Sequence, residues 1–417
     1  MTGNNIDALI KEGVFTADAA KKAENYRIIK ETARKAGIYP ASIQALYEAA
    51  GKGQYKGVTV PAINIRMMTY DVAQAVFRAA LKNNVGAFSF EIARSEIGYT
   101  KQPPSEYAAC VLAAAIKTGF KGPVFIQGDH YQVRRAMYRE NAGAEIDDMK
   151  KLIKESIEAG FYNIDIDAST MVDISKDDLA EQQAKNSGIT AELTRYIRSI
   201  EPEGVTVSVG GEIGEIGKGN STVGDLQAFM NEYLKQLPKG MKGISKISVQ
   251  TGTTHGGVVL PDGSIAKIKL DFNVLKDISK AAREEYGMGG AVQHGASTLP
   301  DDAFDMFPKM DTVEVHLATG FQNIVYDSPA FPKDLLDRIY QYLDKNNISE
   351  KKEGETQEQF HYSTRKKAFG EFKKETWELP EADMKAIMKE LEERFTLMFK
   401  KLNVTNSDKL VKKYIKA

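Results

Sequence analysis

The sequence predicts an α/β chain built as a (β/α)8 TIM barrel with helical extensions at both ends, and three observations lead there. Between about Gly57 and Asp327, short β-rich runs alternate with amphipathic helical stretches, the pattern of parallel βα units. The runs number about eight, which fits a closed barrel better than a doubly wound open sheet. No G-x-G-x-x-G follows any of them, which weakens the open-sheet alternative further.

In chain order the expected strands are VTVPAINI, GAFSF, PVFIQGDH, FYNIDIDAS, TVSVGGEIG, KISVQTGTTHG, GAVQHGAS and TVEVHLATG. Between them, Tyr70–Lys82, Ser105–Lys117, Asp147–Ala159 and Leu270–Tyr286 repeat apolar residues at helical spacing and read as helices. The first 50 or so residues read as helix over Ala17–Ala36 and Pro40–Ala50, and everything after Pro332 as charged helix. This divides the chain into an N-terminal helical extension (1–56), a barrel (57–330) and a C-terminal helical extension (331–417). One face of Glu381–Leu402 is apolar, so that segment is expected to dock on the barrel or on a second subunit.

Composition narrows the class of function. A chain of 417 residues, 42% hydrophobic and 27% charged, buries one large core with some appended structure. Lysine and arginine total 56 against 57 acidic residues, so no net field draws the chain to nucleic acid or to an anionic membrane, and a bound phosphate must be held locally. The one cysteine, Cys110, lies in an apolar run and is expected to be a buried core residue. MTGNNIDALIKEG does not resemble a signal sequence, and no run approaches the roughly 18 apolar residues of a membrane helix, so a reducing cytoplasm is expected.

VFIQGDHYQ, Val124–Gln132, sets the chemical problem, because an apolar strand ending in Asp129-His130 buries a carboxylate and an imidazole that both need partners. Of five histidines, His130, His255 and His294 each stand where an expected strand runs into its loop. Three imidazoles converging on the C-terminal rim of a barrel can hold a metal ion and leave a position open to substrate. His316, inside VEVHLATG, is read as a core or supporting residue, and His361, in the polar tail, as exposed. Glu212 opens a glycine-rich loop and is a further candidate ligand, while Asp167 can orient a ligand histidine through its other ring nitrogen. Small residues after His294, in QHGASTLP, and around His255, in GTTHGG, suit a backbone anion site.

The ordered motifs PAINI, GDH, IDAS, VSVGGEIG, GTTHG and QHGAS, over residues 58–328, resemble the class II metal-dependent ketose-bisphosphate aldolases. The resemblance implies a lyase that reversibly cleaves a ketose (bis)phosphate, such as fructose 1,6-bisphosphate, to dihydroxyacetone phosphate and an aldehyde. It makes Asp129 the general acid/base. It makes His130, His255 and His294 ligands of Zn2+ or another divalent ion, with Glu212 as the metal-site glutamate. It assigns Asn64, Gly256, Gly295, Ala296 and Ser297 to substrate and phosphate. The partner expected is a phosphorylated sugar, and the assembly a homodimer or larger homo-oligomer.

The chain departs from the family at two places. The loop acid about eight positions after the metal-site glutamate falls on Asn220, which cannot accept a proton, leaving Glu215 as its candidate replacement. A K-x-N-x-x-T-like segment laid without gaps on GFQNIVYDSP puts Val325 at the asparagine and Ser328 at the threonine, with Asn323 two residues away. Asn323 and Ser328 are therefore the expected substrate residues there. A metal-dependent aldolase of a different ketose and a non-catalytic partner subunit of an aldolase stand as alternatives.

Overall fold

The computed structural model describes residues 3–214, 219–252 and 270–416. Its sheet comprises β1 (Ile38–Ala41), β2 (Val60–Asn64), β3 (Ser89–Ala93), β4 (Gly122–Gln132), β5 (Asn163–Asp167), β6 (Ser208–Glu212), β7 (Lys246–Val249), β8 (Ala291–Gln293) and β9 (Glu314–Leu317). Strands β2 to β9 run parallel, each beside its successor, and β2 pairs with β9 from Val60↔Glu314 to Ile63↔Leu317, which closes the barrel. Nearly every residue in these eight strands is buried, because side chains fill the barrel inside while helices cover it outside.

The eight expected strands correspond to β2–β9. Among the boundaries that differ from expectation, two change the reading of the sheet. The reading of Pro40–Ala50 as helix is corrected at its start: Ile38–Ala41 is an extra strand, paired with Gly122–Phe125, and the helix occupies Gln44–Gly51. Gly37, at φ 76, ends the preceding helix, and a residue ahead of a proline is pushed toward extended backbone. The run read as GAFSF continues to Ala93, so Glu91 is an inward barrel residue rather than the start of a loop. A carboxylate there survives because it meets His316 and Gln127 inside the barrel.

Both extensions pack on the barrel. Trp377 lies between Phe15 at 5.4 Å and Tyr70 at 6.3 Å, joining the two chain ends to the helix Thr69–Lys82. The helix Glu381–Lys401 crosses that same helix, with Arg78 Nε 2.9 Å from Glu392 and Phe399 against Phe88. Further along, Ser407 Oγ accepts from the N–H groups of Gly86 and Ala87. One continuous apolar core takes in Ile6 and Ile10, the barrel, and Phe395 to Val411. Cys110 is buried within it, and no described helix is long and apolar enough to cross a membrane.

Candidate active site

The end of β4 explains the Asp129-His130 pair. Alternation along a strand sends consecutive side chains to opposite faces, so a regular β4 would turn only one of them inward. Here the register against β5 slips between Gly128 and Tyr131, and His130 takes a left-handed backbone conformation at φ 40. That bulge is a conformation non-glycine residues rarely adopt, and it points both side chains to the mouth. The Tyr131 ring fills the space beside Gly128, where a Cβ would come 2.4 Å from it.

Five side chains then converge. Asp129, His130 and His294 bring ligand-type atoms within 4.8 Å of one another, and so do His130, Asp167 and Glu212. His130 Nδ1 lies 3.2 Å from both Asp167 Oδ2 and Glu212 Oε2. The rings of His130 and His294 are 4.1 Å apart, and His294 Nε2 is 2.9 Å from Ser248 Oγ. Asp167 is held by Gln132 Nε2 at 2.7 Å and by Ser169 Oγ at 2.7 Å. The end of β6 is held by the helix Leu179–Ile200, whose Asn186 donates to the Glu212 carbonyl at 2.7 Å.

Electrostatics follow from this crowding. Burial pushes the Glu212 carboxyl up to about 7, with Asp167 adding to it. Burial opposes the charged form of His130, but Asp129 and Glu212 outweigh it and hold its pKa well above the ordinary histidine value. A donor set of imidazoles and buried carboxylates suits a divalent ion, which would replace those protons.

Beneath the mouth the barrel interior is charged. Lys246, only 1% exposed, lies 2.8 Å from Asp165 and from Gln127 Oε1, and also meets Glu314. His316 stands above this group, with Nδ1 2.9 Å from Glu91 and 3.1 Å from Asp129, Nε2 2.7 Å from Glu314, and its ring 4.0 Å from His294. Burial raises Glu91 to about 8 and Asp165 to about 6. Burial would raise Glu314 too, but Lys246 and His316 hold it well below the usual carboxylate range.

A cavity of about 500 Å³ opens over these residues and is lined by Asn64, Asp129, His130, His294, Gly295, Ser297 and His316 among others. Asn64 donates to Glu96 at 2.7 Å. Ala296 is buried and does not line the cavity. His255, Gly256 and Glu215 lie outside the described residues. Asn220 is exposed, with its amide 3.4 Å from Asp271.

Three expectations need correction. Asn323 and Ser328 do not reach the cavity: Asn323 bonds Tyr362 and Arg365, and Ser328 bonds Glu390 at 2.6 Å. The segment at the mouth is instead β9 and its end, which puts Glu314, His316 and Thr319 at the K-x-N-x-x-T spacing. The gapless count was too late because it began from the helix Thr319–Asp327 instead of from the strand before it. His361 is not exposed: it stacks on Tyr340 at 4.2 Å with Nε2 2.7 Å from Asp344.

Sequence reasoning passed over Glu91, Asp165, Lys246, Glu314, Arg66 and Lys366. The signal for some was present, since IDID and EVH place polar residues at a spacing of two, on the inward face of a strand.

A family model described as class-II fructose-bisphosphate aldolase matches residues 41–403. A search of curated proteins found no match. Among solved structures, the chain is similar to a fructose-bisphosphate aldolase from Campylobacter jejuni at 17% identity and TM-score 0.52, covering 88% of this chain and 97% of that one. It is also similar to a Coccidioides immitis protein named as a candidate fructose-1,6-bisphosphate aldolase, at 16% identity and TM-score 0.51, covering 89% and 99%. A Sinorhizobium meliloti 1021 protein named as a candidate tagatose 6-phosphate kinase matches at 14% identity and TM-score 0.56, covering 85% and 99%. At these identities the three structures speak for the fold.

Proposed function

The chain belongs to the class-II fructose-bisphosphate aldolase family, and we propose from that premise that it reversibly cleaves the carbon–carbon bond of a phosphorylated ketose, with fructose 1,6-bisphosphate as the first candidate. The observation that carries the reading is the meeting of Asp129, His130 and His294 at one point of the barrel mouth, with Glu212 on the far side of His130.

His130, His294 and Glu212, with His255, would hold a divalent ion, zinc in the simplest form of the reading. When bound, the ion supplies Lewis-acid stabilisation of the negative charge that develops at the carbonyl oxygen as the bond breaks. Asp129 takes the proton from the hydroxyl of the departing aldehyde carbon in cleavage and returns it in condensation. Its carboxylate is turned by His316 at 3.1 Å, which leaves it aimed at the cavity beside the ion ligands. Asp167 fixes the ring of His130 from behind, and Gly295 and Ser297 offer the substrate phosphate a site on the cavity wall. The same reading includes a cytoplasmic homodimer or larger homo-oligomer.

Glu314 and His316, where the family segment has lysine and asparagine, favour keeping a different ketose in view. The test is a coupled cleavage assay on fructose bisphosphate and tagatose bisphosphate, with and without chelator. Metal-dependent cleavage that disappears in His294→Ala supports the reading. A stoichiometric bound ion with no turnover of either sugar rejects bisphosphate cleavage and favours another ketose or a partner role.

A further inference from the structure

The N-terminal face of a barrel ordinarily carries stability and the opposite face carries chemistry. In this chain a side chain from beneath the barrel joins the hydrogen-bonded group that leads up to the mouth. The helix Gln44–Gly51, in the N-terminal extension, packs on the turn that leads into β8. Two glycines permit the approach: a Cβ on Gly51 would collide with the Gly287 carbonyl oxygen, and one on Gly289 would come 3.0 Å from the Tyr47 Cβ. Close packing at both points fixes the helix, and the fully buried Tyr47 ring is delivered to a set place under the strands.

The Tyr47 hydroxyl donates to Oε2 of Glu314. Burial, with Glu314 beside it, holds the phenol well above the ordinary tyrosine value, so it keeps the proton it donates. The other oxygen, Oε1, accepts from Lys246 Nζ and from Gln127 Nε2 at 3.0 Å, and meets His316 Nε2 at 2.7 Å. A carboxylate bound at both oxygens cannot turn about its Cγ–Cδ bond. Once Oε2 is released it can turn, and Oε1 is no longer fixed beneath His316. Glu314 opens β9, and His316 stands two residues on, on the same inward face and about 7 Å higher. Its Nδ1 meets Asp129 at 3.1 Å and Glu91 at 2.9 Å. A line of contacts thus runs from the N-terminal helix through Glu314 and His316 to Asp129, and no member of it is more than 5% exposed.

We propose that Tyr47 is a positioning residue for Asp129, acting through Glu314 and His316, so that the N-terminal extension sets the orientation of a side chain at the opposite end of the barrel. What Asp129 does with a proton rests on the aldolase reading; its orientation from below does not. Packing alone would be met by phenylalanine at position 47, and the hydroxyl matters only through its bond to Glu314.

Tyr47→Phe keeps the ring and removes the hydroxyl. Proton NMR of the metal-free full-length chain reads the hydrogen-bonded imidazole N–H protons far downfield, where His316→Asn identifies the His316 signal by its loss. In Tyr47→Phe that signal should move upfield or broaden as the bond to Glu314 loosens. In steady-state cleavage of a ketose bisphosphate by the metal-loaded protein, kcat should fall about 3- to 10-fold with KM and bound metal unchanged, short of the roughly 10²-fold that a full misplacement costs. A purely structural role would lower the unfolding temperature and leave both the signal and kcat as in the wild type, and that result overturns the proposal. A moved signal with an unchanged kcat overturns it as well. If the wild type cleaves no bisphosphate, that activity falls by itself: a moved signal then upholds the path from Tyr47 to His316, and an unmoved one overturns it.

Discussion

Nδ1 of His316 lies 3.1 Å from the Asp129 carboxylate while its Nε2 lies 2.7 Å from Glu314, so one imidazole ties the barrel mouth to the charged group beneath it. Asp129 is thus oriented from inside the barrel as well as by its own strand.

Replacing that imidazole by a shorter amide should disturb the orientation and leave the ion ligands in place. His316→Asn is expected to lower kcat about 10- to 100-fold with little change in bound metal. Steady-state kinetics beside metal analysis checks this, and a loss of metal equal to the loss of rate would assign His316 to ion binding instead.

Asp129→Asn removes the proton acceptor with almost no change of shape. Cleavage should fall about 10²- to 10⁴-fold. A variant that retained its rate would move the acid/base role to another group.

Stability of the metal-free chain should depend on pH in one direction. Glu91, Glu212 and Asp165, raised to about 8, 7 and 6, keep protons in the fold that the unfolded chain has already lost. His130 and His316, both raised, contribute stability that is present below the ordinary histidine pKa and is lost as pH rises through their folded values. In both sets the folded state binds more protons, so stability falls with rising pH. Asp167 and Glu314, both lowered, act on the acid side, losing their contribution as pH drops through their folded values. Thermal melts in chelator should give a higher Tm near pH 6 than near pH 8.5, and the opposite order would refute the assignment.

An ion entering the site must displace the protons on His130 and Glu212. Binding should therefore release protons, and affinity should rise between about pH 6 and pH 8. Calorimetry of zinc binding in buffers of different ionisation enthalpy measures the release directly, and a buffer-independent heat would count against this donor set.

Lys246 compensates Asp165 and Glu314 in the buried interior of the barrel. Lys246→Met should cost about 3–5 kcal/mol, because it leaves buried carboxylates without their cation. The midpoint of urea unfolding reads the loss, and adding Glu314→Gln should recover part of it.

The legible part of this architecture is the part carried by local pattern. Parallel strands such as Asn163–Asp167 and Ser208–Glu212 show as β-rich runs between helical ones, and the strand-end histidines mark the rim. The strand Ile38–Ala41 escaped because its four residues are extended mainly by the tertiary pairing with Gly122–Phe125. Glu91 and Lys246 escaped for a different reason. A charge within a strand reads as a boundary until its partner is known, and each partner here comes from a distant strand, Glu314 lying 68 residues beyond Lys246. Lys366 was hidden because nothing local says that a polar helical tail folds back over the mouth.

The bond from Ser407 to the N–H of Gly86, spanning 321 residues, also bears on how the chain is made. A growing chain emerges from its N-terminus at about 5–20 residues per second. The lower edge beside β3 therefore waits for its cap until a further 321 residues have been made, through Ser407. During that interval Gly86 and Ala87 present unsatisfied backbone donors near an aromatic cluster of Phe77, Phe88 and Phe120. Nascent chains of this protein are thus exposed to chaperones, or to one another, at that edge for longer than their strand order alone would suggest.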